Sequence, residues 1–330
     1  MKVRLLATGG TISGGIDHST GKPRSLQAED LLALVTELDE SVEIEYEDFC
    51  TIPSSSMTPE LEFSLAKRIN HIFKTDSDLS GIVVTHGTDS LEETAFLLWL
   101  LVDDARPVVL TAAQRPPRYI DSDGPRNLLN SIRTAVSEKA KGKGVLVCLN
   151  NEINSARYVR KTHTIALETF KSGQHGIIGY VDGKDILFFD KPLNRHTIAT
   201  NNIDPNVHLI KLVVGMNPKF VEAAIKAGPS ALVIEAFGRG NVPSAIMEKL
   251  LEARKRGITV SVVSRCDEGR VVPRQIWEEN GIIAGEDIDG LKARLLLCLL
   301  VTQTKDPKLI QQYFTHLSGR NVSKFLPQPT

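Results

Sequence analysis

Short apolar runs alternate with stretches of helical periodicity through most of this sequence, and that alternation constrains the chain more than any other feature. Lys2–Ala7 and residues 81–85, 107–112 and 144–150 each read as a buried strand, the pattern of a largely parallel sheet with helices on both faces. Between them, Thr58-Pro59 offers an N-cap followed by proline at the first helical position. Leu61, Leu65, Ile69 and Ile72 or Phe73 then recur at helical spacing. Ser90-Leu91-Glu92-Glu93 matches a capping box that opens a second helix, and Pro125 opens a third through Leu128, Leu129, Ile132 and Val136. Asp182-Gly183 inside 176–189 signals a hairpin, one antiparallel piece closing this half.

From 191 to 208 the periodicity stops. Pro192, Asn194, Asn201, Asn202, Asp204, Pro205 and Asn206 fill the segment and mark it as a linker. After it come strands at 209–214, 231–237 and 258–264, helices at about 218–227 and 244–256, a closing helix at 291–301, and a polar tail after Gly319. The expected organisation is α/β: an N-terminal domain over 1–190 with a mostly parallel sheet and flanking helices, and a smaller C-terminal α/β domain over 209–330. A length of 330 residues suits two such cores.

Composition narrows the partners. The 39 Lys and Arg balance 40 Asp and Glu, so no basic field favours nucleic acid. The longest apolar run, 295–301, falls far below the ~20 residues of a membrane span. Met1 to Ala7 carries too short an apolar stretch for a secretory core, so a cytoplasmic protein is expected. Cys50, Cys148, Cys266 and Cys298 lie far apart and read as reduced, mostly buried thiols.

Phosphate-loop, zinc-protease and serine-hydrolase signatures are absent: Pro243 stands where a third glycine would follow Gly238 and Gly240, and no His-Glu-x-x-His or Gly-x-Ser-x-Gly occurs. Two threonine-bearing turns remain, each at the C-terminal end of an expected strand, where open α/β sheets hold their ligands. In Thr8-Gly9-Gly10-Thr11 the glycines admit close approach of a ligand and present a hydroxyl. In His86-Gly87-Thr88-Asp89 a hydroxyl, a carboxylate and the N–H donors of a helix start converge. A hydroxyl nucleophile needs a base, and Lys161, beyond the 144–150 strand, is the candidate. His86 reads as a packed loop histidine rather than a base, because Lys161 fills that role.

Leu5-Leu6-Ala7-Thr8-Gly9-Gly10-Thr11-Ile12-Ser13 resembles the first signature of the bacterial-type L-asparaginases and glutaminase-asparaginases. Residues 81–91 resemble the second, with Ser90 in place of the usual threonine. The likeness continues through Ser54-Ser55-Ser56-Met57, Asp123-Gly124-Pro125-Arg126-Asn127-Leu128, Lys161-Thr162, Gly238-Arg239-Gly240-Asn241 and Thr302-Gln303-Thr304-Lys305-Asp306-Pro307, in order along nearly the whole chain. It implies a two-domain asparaginase-like fold, hydrolysis of the side-chain amide of L-asparagine to aspartate and ammonia, no metal or cofactor, and a homotetramer or dimer with shared active sites. It also implies Thr11 as nucleophile, with Thr88, Lys161 and Asp89 as a second hydroxyl–base–carboxylate set in which Lys161 accepts a proton in its neutral form. Backbone N–H groups around Thr88 then stabilise the oxyanion. Ser54, Ser55, Gly87 and Asp89 bind substrate, and Asn241 assists across the dimer interface.

The chain departs from the family pattern in three places. The loop Asp17-His18-Ser19-Thr20-Gly21-Lys22-Pro23-Arg24-Ser25 lacks a tyrosine; Ser55 and Ser56 stand where periplasmic members carry Gln and Asp; and Ile276 aligns near an ammonium-binding glutamate, leaving Glu268 or Glu278 as substitutes. These departures motivate the alternatives: another small amide as substrate, a weakly catalytic small-molecule binder, or the amidase part of a tRNA-dependent amidotransferase, against which the lack of a basic stripe counts.

Overall fold

A computed structural model describes residues 1–16, 23–190 and 197–320. The chain folds into two units, Met1–Leu193 and Asn194–Thr330. The unusual loop over 17–22, the start of the expected linker at 191–196 and the tail from 321 lie outside the described residues.

In the first unit, β1 (Lys2–Ala7) is followed by a small antiparallel pair, β2 (Gly14–Ile16) and β3 (Pro23–Ser25), then α1 (Ala28–Ala33), β4 (Glu43–Asp48), α2 (Pro59–Thr75), β5 (Leu79–Thr85) and α3 (Leu91–Leu101). Next come β6 (Val108–Thr111), α4 (Gly124–Val136), β7 (Val145–Leu149), β8 (Glu152–Ser155), a second small pair of β9 (Arg160–Lys161) and β10 (Phe170–Lys171), and the hairpin β11 (Gly179–Asp182) and β12 (Asp185–Phe188). The main sheet runs β12-β11-β8-β7-β6-β5-β1-β4: five parallel strands from β4 to β7, then three antiparallel ones.

Side chains alternate across this sheet. Val3, Leu5 and Ala7 join Val83, Val109, Leu146, Leu128 and Ile132 in one core, on the face that α4 covers. Helix α3 has lost its amphipathic stripe because ten of its eleven residues are buried. Thr58 caps α2 as the sequence indicates, its hydroxyl accepting from the Leu61 N–H. The capping box at Ser90 does not form: Ser90 makes no cap hydrogen bond, and its hydroxyl donates instead to the Ser54 carbonyl at 2.7 Å.

The second unit holds a four-stranded parallel sheet in the order β13 (Val207–Lys211), β14 (Ala231–Ala236), β15 (Thr259–Ser264), β16 (Ile282–Ala284). Helices α5 (Lys219–Lys226), α6 (Ser244–Lys255), α7 (Gln275–Glu279), α8 (Gly290–Leu300) and α9 (Pro307–Leu317) complete it. Its first strand starts two residues earlier than expected, inside the segment read as a linker, and ends at Lys211, since Val213 and Val214 are exposed beyond it. Its last helix, α9, follows the one read as closing the chain; Asp306 caps it, and Ile310, Phe314 and Leu317 form its buried stripe.

The strand order decides where a site can form. From β1 the chain adds β4 on one side, then returns to place β5 on the other and continues outward to β6 and β7. The reversal leaves a crevice beyond the C-terminal ends of β1 and β5, the switch point at which doubly wound sheets bind ligands. Both threonine turns begin there.

Candidate active site

The turn after β1 is shaped by backbone. Gly9 and Gly10 take φ of 97° and 85°, in the left-handed region that favours glycine. Thr8 N–H and Thr8 Oγ1 both donate to the Thr85 carbonyl, at 3.1 and 2.9 Å, which pins this turn to the end of β5. Gly10 then lies directly against Gly87: a β-carbon on Gly10 would sit 2.3 Å from Gly87 Cα. Thr11, half-buried, opens a 3₁₀ turn, Thr11–Ser13. Among the described residues its hydroxyl has no hydrogen-bond partner.

The turn after β5 is held by side chains. Thr88 is 5% exposed, and its Oγ1 accepts from Lys161 Nζ at 2.8 Å. The same Nζ donates to Asp89 Oδ1, also at 2.8 Å. Lys161 reaches them from β9, its side chain 15% exposed against 66% for Asp89. Ser54, on the 3₁₀ turn Ser54–Ser56, is buried and takes the Asp89 N–H on its Oγ at 3.2 Å. A β-carbon on Gly87 would meet that same Oγ at 2.4 Å.

Behind the turn, His86 is fully buried, and burial pushes its pKa down to about 4 against the opposing pull of the Gly87 carbonyl. Its Nδ1–H donates to Gly87 O at 2.8 Å, since a carbonyl only accepts. His86 Nε2 is 3.1 Å from Thr94 Oγ1, which is 2.6 Å from Glu62 Oε1. The ring is thus a packed loop histidine, as the sequence indicates, but it belongs to a buried chain of polar groups that short-range patterns do not disclose.

The structure therefore brings together Thr88, Asp89, Lys161, Ser54 and Gly87, with Gly10 and the start of the Thr11 turn against them. Ser55 is exposed. Asn241 belongs to the second unit, on the turn after β14, where its Oδ1 accepts from Arg274 at 3.2 Å. Ile276 on α7 is exposed, as are Glu268 and Glu278. Among the described residues no group of His, Cys, Asp and Glu could hold a metal ion, and no helix is long and apolar enough to cross a membrane. None of the four cysteines forms a disulfide: Cys148 and Cys298 are buried, Cys50 is half-buried and Cys266 is exposed.

Residues 2–194 match the model of the asparaginase N-terminal domain, and 206–314 that of the glutaminase/asparaginase C-terminal domain. The chain belongs to the asparaginase family. It is 39% identical to L-asparaginase 2 of Bacillus subtilis over 322 residues, covering 94% of this chain and 85% of that protein. It is 38% identical to the probable periplasmic L-asparaginase of Haemophilus influenzae, covering 94% and 92%. Among solved structures, the probable cytoplasmic L-asparaginase from Campylobacter jejuni superposes with a TM-score of 0.86 at 34% identity, covering 95% of this chain and 98% of that one. The asparaginase-family chain is thus an amidohydrolase with the family's two-domain α/β fold.

Proposed function

We propose that this amidohydrolase hydrolyses the side-chain amide of L-asparagine to L-aspartate and ammonia at the β1/β5 switch point. The observation that carries the reading is the amine of Lys161 at 2.8 Å from both Thr88 Oγ1 and Asp89 Oδ1, beside the Gly10–Gly87 contact that delivers Thr11. Thr11 Oγ1 attacks the amide carbon, and its proton leaves with the amide nitrogen as ammonia. Water then attacks the ester, restoring the Thr11 hydroxyl and releasing the carboxylate. Thr88 and Lys161 move the proton, with the Asp89 carboxylate orienting the amine. Backbone N–H groups around Thr88 receive the oxyanion. Ser54, Ser55 and Gly87 hold the substrate α-carboxylate end, and the exposed Asp89 carboxylate meets its ammonium group.

The same reading includes a homodimer or tetramer in which Asn241 completes a neighbouring copy's site, in the cytoplasm, where four thiols outside any disulfide stay reduced. Sedimentation beside an activity assay tests the assembly; activity that persists in a dilute monomer removes Asn241 from the site. The chemistry is tested by ammonia release from L-asparagine. Thr11→Ala, Thr88→Val and Lys161→Met each lower kcat by about 10²-fold or more. Undiminished turnover in all three overturns the mechanism.

A further inference from the structure

The chain Glu62–Thr94–His86 lies outside the residues that meet substrate, yet it ends on the peptide group that joins the site's central glycine to its threonine. Glu62 is 3% exposed, and Thr94 and His86 are wholly buried, in α2, in α3 and at the end of β5. Three contacts link them to Gly87 O, at 2.6, 3.1 and 2.8 Å. A buried polar chain of this length is costly unless every contact carries a proton. Three contacts need three protons, and Thr94 supplies one. His86 and Glu62 hold the other two between them. His86 gives one to Gly87 O through Nδ1–H, and the Thr94 hydroxyl stands between ring and carboxyl, 3.1 Å from Nε2 and 2.6 Å from Glu62 Oε1.

The far end of the chain has a geometric consequence. Peptide groups are planar and trans, so the Gly87 carbonyl and the Thr88 N–H point in opposite directions. Drawing the carbonyl inward to His86 therefore turns the Thr88 N–H away from the core. Among the described residues that N–H has no backbone partner, although Asp89 N–H, next in sequence, is taken by Ser54. An unspent donor with a fixed direction is what a developing oxyanion requires.

We propose that Glu62, Thr94 and His86 form a positioning relay that locks the Gly87–Thr88 peptide plane and aims the Thr88 N–H at the oxygen on which negative charge develops. The proposal rests on the hydrolytic reading above and adds three positioning residues to it.

Steady-state kinetics of Thr94→Val and Thr94→Ser, with L-asparagine and melting temperatures alongside, test it. Valine keeps the shape and removes the hydroxyl; kcat is expected to fall about tenfold or more while KM stays within about twofold, the signature of an interaction made only in the transition state. Serine restores most of kcat. A folded Thr94→Val with wild-type kcat, or one altered only in KM, overturns the relay. Should the valine variant not fold, Glu62→Gln and Glu62→Leu put the same question from the other end: a carboxamide can hydrogen-bond Thr94 and a leucine cannot. Glutamine is expected ahead in kcat by about tenfold, and equal kcat values overturn the relay. The wild-type control separates the two readings. An active wild type with indifferent variants sinks the relay alone, whereas a folded wild type that releases no ammonia sinks the reaction it was to serve.

Discussion

The two turns at the switch point are built in opposite ways. The turn after β1 is backbone: two glycines with positive φ, a pair of bonds onto the Thr85 carbonyl, and a threonine hydroxyl with no hydrogen-bond partner among the described residues. The turn after β5 is braced by side chains from four other segments, with Lys161, Ser54, Thr94 and Glu62 converging directly or through His86. A nucleophile that must leave its place to attack and return is better left unbraced, while groups that move protons or receive charge must be fixed beforehand. The contrast separates the reacting group from the groups that wait for it.

Substitutions can break that comparison. The largest effect is expected at the amine: Lys161→Met lowers kcat by about 10²–10⁴-fold, and because it also removes a brace its melting temperature falls more than that of Thr11→Ala. Thermal melts of both variants check this, and equal melts erase the distinction. Gly10→Ala comes next. Its methyl meets Gly87 at 2.3 Å in a left-handed conformation, so a loss of about 2–4 kcal/mol is expected in urea unfolding, with activity lost alongside.

Ser90→Ala removes only the 2.7 Å bond onto the Ser54 carbonyl; the expected cost is about 1 kcal/mol, read by the same unfolding curve. The smallest effect belongs to Cys50, whose thiol donates to Thr8 O at 3.6 Å beside the Ile52 N–H that already satisfies that carbonyl. Cys50→Ala is expected within about 0.5 kcal/mol of wild type. Burial pushes this thiol above its ordinary pKa, so its alkylation rate keeps rising past about pH 8.5; a plateau below that pH contradicts the burial.

Much of this site is written locally. Thr8-Gly9-Gly10-Thr11 and His86-Gly87-Thr88-Asp89 can be found because glycine, hydroxyl and carboxylate at a strand end have few other uses, and the Thr58 cap can be read from its own four residues. What could not be read is long-range. Ser54 and Asp89 are 35 residues apart, and nothing near Ser90 announces that its hydroxyl will turn to Ser54 rather than cap α3. Glu62 and Thr94 look like ordinary polar positions on helices; only packing α2 against α3 shows them to be buried partners. Among the elements, β4 alternates Glu43-Ile44-Glu45-Tyr46-Glu47, but it is a charged edge strand in which no residue is fully buried and Tyr46 is exposed, so it lacks the short apolar run that marks the inner strands. Helix α9 has a local start signal in Asp306-Pro307, but its buried stripe is only Ile310, Phe314 and Leu317, far weaker than the apolar run of α8 before it.

The meeting of Gly10 with Gly87 leaves a seam of bare main chain between the two loops. Main chain offers an engineer nothing to trim or enlarge, so the gauge between the loops is a fixed dimension of the scaffold. Efforts to widen or narrow substrate choice have purchase at the rim, at an exposed position such as Ser55, where a new side chain does not force the two loops apart.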